Sequence, residues 1–420
     1  MYRILAAVLV AGACASSLQA QVQSSASADS DLTLDQALID AAVNSPALDA
    51  ARSGATAAQA QRAVARLRPN PSFDAMAENV GGSGAYRGFQ STETTVGLSV
   101  PLELGGKRSA RVAVADAQIG RATLESSIAR AELRQRVTRA FNQASASRRR
   151  YEIAREQVGI AAEVLRAAHV RVASGRASPL EEQRAEVARL NAEGAVERAE
   201  RSAIVARDNL ALLTGHAVTG LDTSWFARVE SPGPMSRTDT ASTLVVAAAQ
   251  ADLGTATAQI RLARSQRIPD VTLSAAARRL DATNDVAGVF SLSVPLPLFN
   301  NGRAAVDLAS AQRQQADANR RLALLDAEQM IASARAEAAN AATTARNTTG
   351  PMLAAAKEAA RIARIGYREG KFGQLDLLEA ERSLSETRSA AIDALADYHD
   401  ARARLERLTA PAPTDAKEAR

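Results

Sequence analysis

LSVPLELGGKRSARVAVADAQ (residues 98–118) and LSVPLPLFNNGRAAVDLASAQ (residues 292–312) are two copies of one segment, aligned without a gap at an offset of 194. The pairs Ser99/Ser293, Val100/Val294, Pro101/Pro295, Leu102/Leu296, Val112/Val306 and Gln118/Gln312 are identical. Each copy passes from the two-residue alternation of a strand into the longer rhythm of a helix. Farther on the offset becomes 195, through Gly175/Gly370, Leu180/Leu375, Ala185/Ala380, Glu186/Glu381, Leu210/Leu405 and Leu213/Leu408. A repeat unit close to half the chain means an internal duplication, not a solenoid.

The composition fits long helices with thin seams better than a thick core. Aromatic residues make up 3% of the 420 positions, and alanine dominates the apolar class. The net charge is +5, and only Lys107, Lys357, Lys371 and Lys417 are lysines. Acidic residues alternate with the arginines throughout, so solvated helix faces account for the basic balance and no nucleic-acid partner is expected. Residues 1–20 read as an export signal, with Arg3, an apolar run from Ile4 to Ala13, and a small-residue site at Leu18-Gln19-Ala20. Cys14, the single cysteine, is either lost with that signal or lipidated at Ala11-Gly12-Ala13-Cys14, where Ala11 stands in place of the expected Leu. No apolar run is long enough for a transmembrane helix.

Changes of pattern divide the chain into a first repeat (32–214), a link (215–240), a second repeat (241–410) and a disordered tail (411–420). The first repeat reads as a helix over 33–68, a strand pair within 71–102, a long helix over 105–173, a tip turn at 174–179 and a helix from Leu180 to Leu213. The second reads as 241–268, a strand pair within 270–298, 303–369, a tip turn at 370–374 and 375–409. The long helices measure about 100 Å and their neighbours about 50 Å, so two short helices end to end match one long one. Pro351 should kink or interrupt the second long helix. The link, with Trp225, Pro232 and Pro234, would form a belt at the waist.

The seams step as a heptad: Tyr151, Ala154, Val158, Ala161, Leu165, Ala168 and Val172 on the outward run, and Ala185 through Ala206 on the return. An antiparallel coiled coil without a cavity gives the same rhythm. In the strands, Thr94, Val96, Leu98, Val100 and Leu102 alternate with small or polar residues. Val271, Leu273, Ala275 and Ala277, and Phe290, Leu292, Val294 and Leu296, do the same. Such strands suit an outer-membrane barrel, with lipid on the apolar face. Four strands cannot close alone, and a sheet in lipid tolerates no free edge. Two chains would give eight strands around a filled interior, and three would give twelve around an open lumen.

This organisation resembles the TolC family of trimeric outer-membrane efflux ducts, from about residue 32 to 410. SVPLELGGKR (99–108), RPNPSF (68–73) and ENVGGSG (78–84) are similar to the outer-membrane component of cobalt–zinc–cadmium efflux systems. YREGKFGQLDLLEAE (367–381) is similar to the tip motif of the wider family. The resemblance implies a mainly α fold, with a periplasmic α-barrel of coiled-coil helices and four strands per chain in a shared twelve-stranded barrel. It also implies a homotrimer, a periplasmic adaptor and an inner-membrane pump of the resistance–nodulation–division type. Carried over, the gate carboxylates fall on Asp376 and Glu379, with Glu181 as a first-repeat counterpart. The adaptor would meet the turns Gly175-Arg176-Ala177-Ser178 and Gly370-Lys371-Phe372-Gly373. Phe372 stands where the best-known members carry Arg, which implies a more apolar contact there.

Asp376 and Glu379, three apart, share one helix face, and three chains would bring six carboxylates to one axis. A solvated face paired with Arg382 is the plainer reading of the same residues. His169, His216 and His399 are isolated, with no ligand-spaced partner, so no metal site or cofactor is expected in the chain itself. Nothing in the sequence matches a nucleophile–base arrangement or a phosphate loop, which argues against an enzyme. The leading function is passive conduction of divalent heavy-metal cations. Drug or solvent efflux, or an exported coiled-coil scaffold without a pore, are the alternatives.

Overall fold

The computed structural model describes residues 31–230 and 239–413. The export segment with Cys14, and the prolines Pro232 and Pro234, lie outside the described residues. In chain order the elements are α1 (Leu34–Val43), α2 (Pro46–Ala65), β1 (Ser72–Glu78), β2 (Glu93–Leu102), α3 (Lys107–Ala173), α4 (Pro179–Thr214), α5 (Leu244–Gln266), β3 (Val271–Leu280), β4 (Asp285–Ser293), α6 (Arg303–Asn347), α7 (Leu353–Arg368) and α8 (Gln374–Leu408). α3 runs for 67 residues, about 100 Å. α3 packs against α2 and α5 toward the sheet, where Arg62 meets Asp116 and Arg121 meets Asp252, and against α4 and α8 farther on, where Asn142 meets Asp400 and His169 meets Glu182. The sheet therefore lies at one end of the molecule and the two tip turns at the other.

One antiparallel sheet holds all four strands in the order β1-β2-β3-β4. Ser72 faces Ser99, Ser99 faces Ser274, and Thr272 faces Ser293. Along β2 the even positions Val96, Leu98, Val100 and Leu102 are exposed, while Thr95, Gly97, Ser99 and Pro101 are half-buried on the other face. The exposed face carries Phe73, Leu98, Leu273, Phe290 and Leu292, the apolar face expected of strands set in lipid. The other face is polar: Arg278 pairs with Glu78 and with Glu93, each at 2.9 Å, and Ser99 Oγ lies 2.8 Å from Ser274 Oγ.

The helical seams follow the heptad. Positions Tyr151 to Val172 of that series are all buried or half-buried, and Ala168 and Ala185 are fully covered; Ser202 is the one exposed member of the return series. The waist is the thickest part of the core. Trp225 lies against Phe141 and stacks on His399 with ring centroids 3.9 Å apart, and His399 Nε2 lies 2.9 Å from the Phe226 carbonyl. Burial pushes the His399 imidazole below its ordinary value, so the neutral ring donates Nε2–H to that carbonyl. The expected link thus packs inward, from Val218 to Val229, against two helical clusters.

Three expectations are corrected and a fourth is met. The helix expected over 33–68 is broken at Asn44-Ser45: Pro46 holds Ser45 in an extended conformation, and Ser45 Oγ accepts the Leu48 N–H to begin a second helix. The fourth strand ends at Ser293, not 298, because Pro295 and Pro297 bring no N–H and, among the described residues, no strand lies on that side to hold them. The tail does not begin at 411. Leu244 N–H donates to Ala410 O and Ala412 N–H to Ser242 O, fixing Pro411 beside Thr243. Pro351 interrupts the second long helix as expected: α6 gives way at Thr348–Met352 to a π-helical turn that makes room for the ring, and α7 carries the rod on. There Thr348 Oγ1 and Thr349 Oγ1 donate to the Thr344 and Ala345 carbonyls at 2.9 and 2.6 Å.

Candidate functional site at the helical tips

Both tips are turns built on a left-handed glycine. At the first, Gly175 has φ of 71°, and Arg176 N–H donates back to Arg171 O at 2.8 Å. Ser178 Oγ then accepts the Leu180 N–H, with Pro179 in the first helical turn. At the second, Gly370 has φ of 73°, and Lys371 and Phe372 both donate to Gly366 O. The Phe372 ring folds back over Gly366, where a Cβ would collide with it. Part of the apolar surface expected to face an adaptor is therefore spent on the chain's own turn.

The carboxylates divide by environment. Asp376 and Glu379 are exposed on α8. Asp376 Oδ2 accepts the Gly373 N–H at 2.9 Å and so caps the helix it begins. Arg382 bonds Glu386 at 2.7 Å, not Glu379, which reaches it only through space. Glu181 is not on that face. Its side chain is 14% exposed, and it accepts the Tyr367 hydroxyl proton at 2.7 Å with Arg171 at 3.4 Å. The Glu181 carbonyl takes a further bond from Gln374 Nε2 at 2.6 Å. Glu181 thus joins the α3–α4 turn to the α7–α8 turn.

That joint was not legible as a site in the sequence. Tyr367 is 4% exposed, lies under the Arg171 guanidinium at 4.7 Å, and packs with Val164, Ala168, Ala363 and Leu377. Burial, and the bond to Glu181, push its phenol up to about 12, so it remains a donor. Below it, the buried Glu381 takes two bonds from Arg364, one of 2.8 Å. The only available signal was the presence of both residues in the 367–381 motif. Beside the joint an open groove of about 750 Å³ is lined by Arg166, Arg171, Arg176 and Arg368, with Glu369 as its acid.

Among the described residues no group of three or more His, Cys, Asp or Glu side chains could hold a metal ion, and no helix is long and apolar enough to cross a membrane. His169 lies beside Glu182 and His216 beside Asp40, each at 2.8 Å.

Comparison with known proteins places this architecture. The family model described as outer membrane efflux protein matches residues 37–216 and 241–410. The chain is 30% identical over 391 residues to the cobalt-zinc-cadmium resistance protein CzcC of Cupriavidus metallidurans, covering 90% of each. It is 30% identical over 281 residues to the nickel and cobalt resistance protein CnrC of the same organism, covering 66% of this chain and 67% of that protein. Among solved structures, CusC superposes with a TM-score of 0.76 at 20% identity, over 91% of this chain and 93% of that one. The match to both repeats, in the order and with the gap between them that the fold shows, makes this chain a member of the outer membrane efflux protein family, a family of channels and not of enzymes.

Proposed function

We propose that the chain is the outer-membrane duct of a three-part efflux pump and passively conducts divalent heavy-metal cations to the exterior. The single observation that carries the duct is the four-stranded sheet, apolar on one face, polar on the other and open at both edges. Three copies would close it into twelve strands around a lumen. The rods would extend into the periplasm of a Gram-negative cell, and the tips would meet a periplasmic adaptor fed by an inner-membrane pump of the resistance–nodulation–division type. The Arg166–Arg368 groove favours an acidic segment of that adaptor. The metal cargo is supported by the likeness to CzcC and CnrC, whose names give cobalt, zinc, cadmium and nickel. Cells lacking the chain but keeping the pump should accumulate cobalt, zinc or cadmium. Retained drugs with normal metal content would instead make it a drug duct.

At the tip, Asp376 and Glu379 of three copies would ring the entrance and attract cations. Because Asp376 also caps α8, Glu379→Ala is the cleaner variant, with Asp376→Ala added second. Single-channel conductance in planar bilayers should rise and block by multivalent cations weaken; unchanged values in both variants refute the ring.

A further inference from the structure

Identical residues behave differently in the two repeats, and the difference marks an empty place. Ser99 to Leu102 form strand, with Val100, Pro101 and Leu102 facing Leu273, Thr272 and Val271 of β3. Their copies Val294, Pro295 and Leu296 leave the sheet directly after Ser293. β2 has a strand on each side, whereas β4 has β3 on one side and a free edge on the other. β1 is the opposite free edge. The helices show the same asymmetry: Leu308 and Leu322 of α6 are 61% and 55% exposed, while their counterparts Val114 and Ile128 of α3 are half-buried.

The duplication supplies the missing register. Ser72 faces Ser99 and Thr272 faces Ser293, so Ser72 is the counterpart of Thr272, and Asp74 that of Ser274. Within the chain, β2 faces β3 with Ser99 opposite Ser274, Leu98 opposite Ala275 and Val96 opposite Ala277. Resting on the trimeric reading above, we infer that β4 pairs antiparallel with the next copy's β1 by the same rule, Ser293 lying opposite Asp74 of the partner subunit. Leu292 then lies opposite the partner's Ala75, Phe290 opposite the partner's Ala77, and Val294 opposite the partner's Phe73. The seven residues of β1 are all used only if β4 extends through Pro295, the stretch that its copy in β2 already holds as strand.

Two features single out this register. The apolar row runs unbroken across the seam, whereas a slip of one residue would turn every side chain of one strand to the wrong face. Asp74 already accepts a bond from Ser99 Oγ of its own chain, and the inferred pairing brings Ser293 to its other side. A slip of two residues keeps the faces, so the test must separate Asp74 from Ser72 and Met76.

Cysteine cross-linking makes that separation. Facing residues have Cβ atoms about 5 Å apart and diagonal ones about 7 Å, and a disulfide needs about 4 Å. In the full chain in membranes, Asp74→Cys with Ser293→Cys should give reducible dimer and trimer bands on mild oxidation, and neither single variant should. Ala75→Cys with Leu292→Cys reads the same register from the outer face, should the loss of Asp74 impair assembly. Stronger linking of Ser293→Cys to Ser72→Cys or Met76→Cys overturns the register while the trimer stands. A native-mass trimer in which no β1–β4 pair links overturns it too. A wild-type chain that is monomeric by native mass removes the trimeric reading itself, and the inference with it.

Discussion

The two corners where strand gives way to long helix begin with the same Leu-Ser-Val-Pro-Leu and end differently. At the first, Glu103 is bonded to Arg111, with one contact of 3.0 Å, and Lys107 to Asp270 at 2.7 Å; Leu104 N–H also donates to Asp270. At the second, the corresponding positions are Pro297, Asn301 and Ala305, which can form no such pairs. The second corner instead leaves Leu296, Leu298 and Phe299 exposed, Phe299 completely. A joint that must be made once, inside one chain, is fastened by half-buried charges beside the start of β3. The joint that faces outward is apolar and amide-bearing, with no buried charge left waiting for a partner, which is the costly alternative.

The largest effect expected from this contrast is at Arg111. Arg111→Ala leaves Glu103, 14% exposed, without its partner, and should lower stability by about 1–2 kcal/mol, discounted for the part-exposed arginine. Ala305→Arg at the matching place should change the denaturant midpoint little; equal effects would abolish the distinction between the corners. The tips offer a second contrast, because Tyr367 has Val172 as its counterpart and only one repeat contributes a hydroxyl to the joint. Tyr367→Phe should cost about 1 kcal/mol by leaving Glu181 short of a donor, and should raise channel conductance, while Val172→Ile should leave conductance alone. A conductance that ignores Tyr367→Phe would show the joint to be packing only.

The smallest effect concerns how each repeat ends. The first closes on His216 and Asp40, and the second on backbone pairing of Pro411 with Thr243. The Asp40 hydrogen bond raises the His216 imidazole above its ordinary 6.5. A raised folded value means that the pair's contribution is complete below pH 6.5 and disappears as pH rises through the folded value. Melting of wild type against His216→Gln should therefore differ by a few tenths of a kcal/mol at pH 6 and converge as pH rises through the folded value. A gap that widens with pH would reverse the assignment.

The long elements were legible because each rests on local signals that nothing distant overrides. Gly175 and Gly370 fix the tip turns, the 3-4 steps from Tyr151 to Val172 mark the seam, and the alternation from Thr94 to Leu102 marks a two-faced strand. The failures came where context decides. Val294-Pro295-Leu296 carries the same strand signal as its copy, and the lack of a second neighbouring strand, with Pro297 following, explains why it is not one. The break at Asn44-Ser45 is the exception, for Ser45-Pro46 is a local start signal that the helical rhythm on either side masks. At the tip, the three-residue spacing of Asp376 and Glu379 is enough to put both on one face of α8, and both are exposed there. Glu181 was assigned by repeat position alone, and that arithmetic cannot tell a carboxylate facing water from one bonded across to Tyr367.

The enlarged turn at Thr348–Met352 sets the angular phase of everything beyond it. One additional residue in a helical ring rotates all later side chains by about 100° about the rod. That rotation decides whether Ala363 and Tyr367 look toward Val164 and Ala168 or past them, some two turns of rod before the tip. The uninterrupted α3 has no such phase shift. The second rod is thus aimed by a single residue of slack, placed where a proline keeps it from being taken up.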